Sequence, residues 1–182
     1  MKINKSSLNL AIYILTIIFL GFSIYRIFSM PTEKSIASTA ALFESTINNP
    51  EGKPQSLKQF QNKIIVLNFW ATWCEPCREE MPELSNFYTN NQSKNLVVVG
   101  IAIDEEKAVK SYLKKTNVTY PIFVDEDKGV TLSKNLGNHD GILPYTVIIS
   151  SQGIIQKTIP GRIHQDQLDA ILKPLLQPSK SL

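Results

Sequence analysis

The first 30 residues contain one nearly unbroken apolar run, LNLAIYILTIIFLGFSIYRIF at 8–28, and the rest of the chain alternates short apolar runs with amphipathic stretches. A helix of about 20 apolar residues crosses a bilayer at roughly 1.5 Å per residue, so residues 8–28 predict a transmembrane anchor. Lys2 and Lys5 precede the run, which favours a cytoplasmic N-terminus at 1–7, although Arg26 and Lys34 beyond it weaken that bias. The rival is a cleaved secretory signal, whose apolar core is usually about 7–15 residues and ends at a small-residue site. The nearest such site, STA at 38–40, lies well beyond the run, so a retained anchor is expected. Residues 29–40 are polar, small and breaker-containing and form the expected linker. Both readings send the remaining domain, 41–178, to a compartment where disulfides persist.

Within that domain ALFESTI predicts a first strand, NNPEGKP a tight turn and Ser56–Phe60 a short helix. KIIVLNFWA at 63–71 has no polar face, as expected of a strand buried on both sides. From Cys77 onward Met81, Leu84, Phe87 and Tyr88 recur at helical spacing. NLVVVGIAI then predicts a second buried strand, and EEKAVKSYLKKT an amphipathic helix with Val109, Tyr112 and Leu113 on one side. YPIFV reads as a strand and KGVTLSKNL as a helix; YTVIIS and IIQKTIP read as two strands joined by SQG, and HQDQLDAILKPLL as a closing helix. An α/β domain with a mixed sheet covered by helices on both faces is the economical packing.

Composition narrows the function. At 43% hydrophobic and 19% charged residues the chain is a folding sequence rather than a disordered one, and its net charge of +3 is spread without a basic block. Nucleic acid is therefore not an expected partner.

The only two cysteines, Cys74 and Cys77, stand three positions apart where the apolar strand gives way to the helix. A structural zinc site needs about four ligands, and His139 and His164 lack partner spacing. Haem attachment would place a histidine where Arg78 stands. No metal or other cofactor is expected. A purely structural disulfide over so short a loop would stabilise little. A reactive pair uses the position better: amides at a helix N-terminus favour a thiolate at Cys74, and Cys77 sits one turn later, within reach of a mixed disulfide formed there.

NFWATWCEPCREEMPEL at 68–84 resembles the active-site segment of the membrane-anchored, thioredoxin-like reductases of the TlpA and ResA type. The resemblance implies a thioredoxin-like fold, with Cys74 attacking, Cys77 resolving, and Trp73 and Pro76 shaping the site. GILPYTVIIS is similar to the family segment in which a cis-proline faces the disulfide, which gives that role to Pro144 and makes Leu143 a backbone partner for an extended substrate. The stretch between IAIDEE and VDEDKGV resembles the helix and strand by which the family enlarges the minimal fold. Where cytosolic thioredoxins carry a buried aspartate, this chain has Asn68, which cannot take a proton.

Two carboxyl groups bear on the direction of the chemistry. Glu75, between the cysteines, disfavours a thiolate at Cys74 by like-charge repulsion and so favours the disulfide form, that of a reductase. Glu80 follows Cys77 at i, i+3 on the same helical face, where a partly desolvated carboxyl can exchange a proton with a thiol; the family pattern CEPCxxE points the same way. Glu79, one position off that face, serves as its control. The resemblance further implies a membrane disulfide reductase as electron donor and a protein disulfide substrate such as apocytochrome c, on the extracytoplasmic, periplasmic side of the cytoplasmic membrane. An oxidase or isomerase of secreted proteins, and a copper chaperone using Cys74, Cys77 and His139, are the alternatives.

Overall fold

The computed structural model describes residues 14–23, 38–92 and 94–176. The chain divides into two units, Met1–Ile36 and Ala37–Leu182. In the first, residues 14–23 are helical (α1). Among the described residues no helix is long and apolar enough to cross a membrane, and the remainder of the 8–28 run lies outside them.

The second unit opens with α2 (Ala40–Glu44) where the pattern predicts a strand. Leu42 and Phe43 give the reason: both are buried, and adjacent residues cannot share the core face of a strand. Strand pairing starts at β1 (Thr46–Asn48), which forms an antiparallel hairpin with β2 (Pro54–Ser56). The turn between them is held by Asn49 Oδ1, which accepts from the amides of Glu51 and Lys53, and by Gly52 at φ 78°. Ser56 caps a 3₁₀ turn over Leu57–Phe60.

The predicted alternation follows: β3 (Ile64–Trp70), α3 (Glu75–Asn91), β4 (Leu96–Ala102), α4 (Glu106–Leu113), β5 (Ile122–Val124), α5 (Glu126–Asn135), β6 (Tyr145–Ile149), β7 (Ile155–Pro160) and α6 (Gln165–Leu176). The sheet runs β2-β1-β5-β4-β3-β6-β7; β3, β4 and β5 are parallel, and the outer pairings are antiparallel. This is a thioredoxin-like α/β fold with a central mixed sheet flanked by helices.

Period-2 alternation in β3 builds two cores. Ile65, Leu67 and Phe69 face one side with Leu42, Phe43 and Leu132, whereas Val66 and Trp70 face the other with Met81, Leu84, Phe87, Leu168 and Leu172. Asn68 falls between Val66 and Trp70 in this alternation, so a polar side chain enters the layer that holds α3. It is fully buried.

Candidate active site

Cys74 is the N-cap of α3, and Glu75 and Pro76 form its first turn, where proline's missing N–H removes no helical bond. Cys74 and Cys77 are joined by a disulfide across that turn. Cys77 is wholly buried and Cys74 retains 6% exposure, so the access that exists belongs to the cysteine expected to attack. Trp73, immediately before it, is 67% exposed, and Glu75 and Pro76 are exposed beside it. The Leu143–Pro144 peptide is cis, the isomer the family resemblance implies; Leu143 is half-buried, Pro144 buried.

The loop leading into Cys74 is pinned from two sides. Asp104, just past the end of β4, accepts from both the amide and the hydroxyl of Thr72, at 2.7 and 2.6 Å. Arg78, one turn into α3, donates to the Thr72 carbonyl at 2.7 Å. Neither contact is visible in the sequence, although an acid at the end of a parallel strand next to the cysteine-bearing one is a signal that strand order could have exposed.

One turn after Cys77 in α3, Glu80 is completely buried. Its Oε1 accepts from Asn68 Nδ2 at 2.6 Å and its Oε2 accepts from the Ile163 amide at 3.0 Å. Asn68 Nδ2 also donates to Thr146 Oγ1 at 3.1 Å, a neighbour supplied by the β3–β6 register. Burial is the largest influence on the carboxyl and raises its pKa from 4.5 to about 7; the Ile163 and Asn68 hydrogen bonds and the charge of Arg162 pull it down, and Glu83 pushes it up. A group near neutrality one turn from Cys77 is matched to proton exchange at physiological pH. Tyr120 joins the same region, its buried phenol held well above the ordinary range by burial and by Glu80. Glu79 is exposed and paired to Arg162. His139 lies on the exposed loop before Pro144. Among the described residues no three His, Cys, Asp or Glu side chains gather as a metal site.

The AhpC/TSA family profile matches residues 36–158. The chain belongs to the AhpC/TSA family. A thiol-disulfide oxidoreductase ResA from Bacillus cereus is 31% identical over 96% of this chain and 99% of its own length. The ResA of Bacillus subtilis is 28% identical over 99% and 98%. A crystal structure of a thioredoxin-family thiol:disulfide interchange protein from Chlorobium tepidum matches 73% of this chain and 93% of its own, with TM-score 0.64 and 28% identity.

With these relatives and the Cys74–Cys77 pair in place, this family member is a thiol-disulfide oxidoreductase. In the reducing direction a thiolate of such a pair attacks one sulfur of a substrate disulfide, and the other substrate sulfur leaves as a thiolate. The second cysteine of the pair, once deprotonated, attacks the first and expels the remaining substrate sulfur. Two electrons pass to the substrate and the Cys74–Cys77 disulfide remains. The reverse sequence returns it to the dithiol.

Proposed function

We propose that this oxidoreductase works as a reductase of protein disulfides on the outer side of a cytoplasmic membrane, anchored by residues 8–28. Electrons come from a membrane disulfide reductase, and the substrate is an extended, unfolded protein such as apocytochrome c. One observation carries the direction: each cysteine has a carboxyl group beside it, exposed Glu75 after Cys74 and buried Glu80 one turn after Cys77. Carboxylates there withhold stabilisation from a thiolate, so the dithiol form gains nothing from ionisation and the pair gives up electrons readily. Arg78, the nearest cation in sequence, is turned to the Thr72 carbonyl. Glu80 takes the proton of Cys77 as that thiol attacks, because a fully buried thiol has no water to receive it.

A retained anchor is supported by the start of the domain. Thr39, inside the nearest candidate cleavage site, donates its hydroxyl to the Gly153 carbonyl at 2.6 Å, and Ala40 already belongs to α2. Gly153 lies in the β6–β7 turn, which follows Ile149 opposite Ile65, at the end of the sheet away from the disulfide. Thr39 is therefore held at the pole of the domain opposite its cysteines.

Trapping tests the reading. Cys77→Ala expressed in the source cells is expected to accumulate mixed disulfides between Cys74 and extracytoplasmic proteins, identified by diagonal electrophoresis and mass spectrometry. Recovery of cytosolic proteins alone would contradict it.

A further inference from the structure

Strand β7 ends at Pro160 and α6 begins at Gln165. The four residues between them are tied down at three points. The Gly161 amide donates to the Pro144 carbonyl at 2.8 Å, so one end of the loop rests on the cis-proline segment. The Ile163 amide donates to Glu80 Oε2. Between these two, Arg162 reaches across to α3 with both terminal nitrogens: Nη1 pairs with Glu79 Oε2, and Nη2 with Glu83 Oε1 at 2.8 Å. The Gln165 amide adds a bond to Glu83 Oε2 at 3.3 Å, and His164 Nδ1 lies 3.6 Å from the same oxygen.

Glu79 and Glu83 are i, i+4 on the outer side of one helical turn, and Glu80, with Met81, is buried within that turn. The arginine fork and the Ile163 amide thus grip the same turn from outside and inside. Ion pairs as exposed as this one contribute little to stability on their own, so the consequence of this one is to be sought at Glu80.

We propose that Arg162 is a positioning residue for the buried acid: its fork over Glu79 and Glu83 keeps the Ile163 amide on Glu80 and sets the pH range in which Glu80 exchanges a proton with the cysteine pair. This rests on the reading of Glu80 as the proton carrier. Among the described residues, the groups acting on Glu80 come from four places. Asn68 comes from β3, with Thr146 of β6 behind it; Tyr120 comes from the segment before β5 and stays neutral; Glu83 comes from its own helix, on which Cys77 stands one turn earlier; Ile163 and Arg162 come from the loop. His164 acts only through Glu83, which Arg162 already holds below the ordinary carboxylate range. Removing the guanidinium therefore has three effects of one sign. A cation that favours the Glu80 carboxylate is lost, Glu83 is left unneutralised, and the Ile163 amide is released. Each favours the protonated acid. Lysine would keep the charge and lose the fork.

The test is a carbon-13 NMR titration of the Glu80 carboxyl in the oxidised full-length protein, run beside the pH profile of insulin reduction. Arg162→Gln is expected to raise the Glu80 midpoint by about 0.5–1 pH unit and to move the profile the same way. Arg162→Lys should move both by less, and Glu79→Gln, which breaks one prong and leaves the Arg162–Glu83 pair, should move them least. In a Glu80→Gln background Arg162→Gln should leave the profile where it is, since coupled residues lose their separate effects. An unmoved midpoint in Arg162→Gln overturns the proposal, and the altered profile of Glu80→Gln then shows that the role of Glu80 survives it. A parent-like profile in Glu80→Gln overturns both, and removes Glu80 from the chemistry whatever the NMR midpoint does.

Discussion

Glu80→Gln slows disulfide exchange near neutral pH by roughly 10²-fold, whereas Glu79→Gln stays within about twofold of the parent; general acid–base groups contribute on that order. The expectation comes from burial. Cys77 has no exposed surface, so in the proposed resolving step its proton needs an internal acceptor. Glu80 is one turn away, and a pKa of about 7 makes it base and acid in comparable measure near neutrality. Glu79 points to solvent and is occupied by Arg162. Stopped-flow reduction of a disulfide peptide, with the pH dependence of Cys74 alkylation, checks this. Superimposable profiles for Glu80→Gln and the parent would return proton handling to water or to Glu75.

The same substitution is expected to stabilise the folded protein above neutral pH. Burial raises the Glu80 pKa from 4.5 to about 7, so between those values the native state keeps a proton that the unfolded chain has released. Stability then falls as pH rises: the contribution of the neutral acid is complete below the unfolded value and lost as pH passes the folded one. At about 1.4 kcal/mol per pH unit, this interval costs the parent roughly 3 kcal/mol. Glutamine cannot ionise and avoids the loss. Asn68 Oδ1, buried and without a hydrogen-bond partner, shows how a neutral side chain is received: a half-turn of the Asn68 amide lets that oxygen accept from a protonated Glu80 or from glutamine. Guanidinium unfolding of the oxidised proteins should give matching midpoints at about pH 4 and a clear advantage to Glu80→Gln at about pH 8. Equal destabilisation at both would contradict the burial argument.

Much of this was legible along the chain. The apolar runs of β3 and β4 and the helical spacing after Cys77 are long enough to show their period, and the i, i+3 relation places Glu80 on the face of Cys77. Helix α2 escapes the pattern because five residues hold little more than one turn, too few to separate a helix from a strand. Asn68 marks the deeper limit. In sequence it reads as the loss of a buried acid from β3; in the fold it holds an acid supplied by α3 in that place. Sheet register and loop closure bring the remaining partners in, with Asp104 meeting Thr72 across 32 residues and Ile163 meeting Glu80 across 83. A backbone amide such as that of Ile163 carries no sequence signature, and nothing in PGRIH announces that its arginine spans a helical turn elsewhere.

The direction of electron flow is decided by a redox titration of the Cys74–Cys77 couple against dithiothreitol or glutathione at neutral pH. With carboxyl groups beside both cysteines, the midpoint is predicted at or below the thioredoxin value of about −270 mV, and a midpoint near the roughly −120 mV of a dedicated oxidant would contradict the assignment as a reductase.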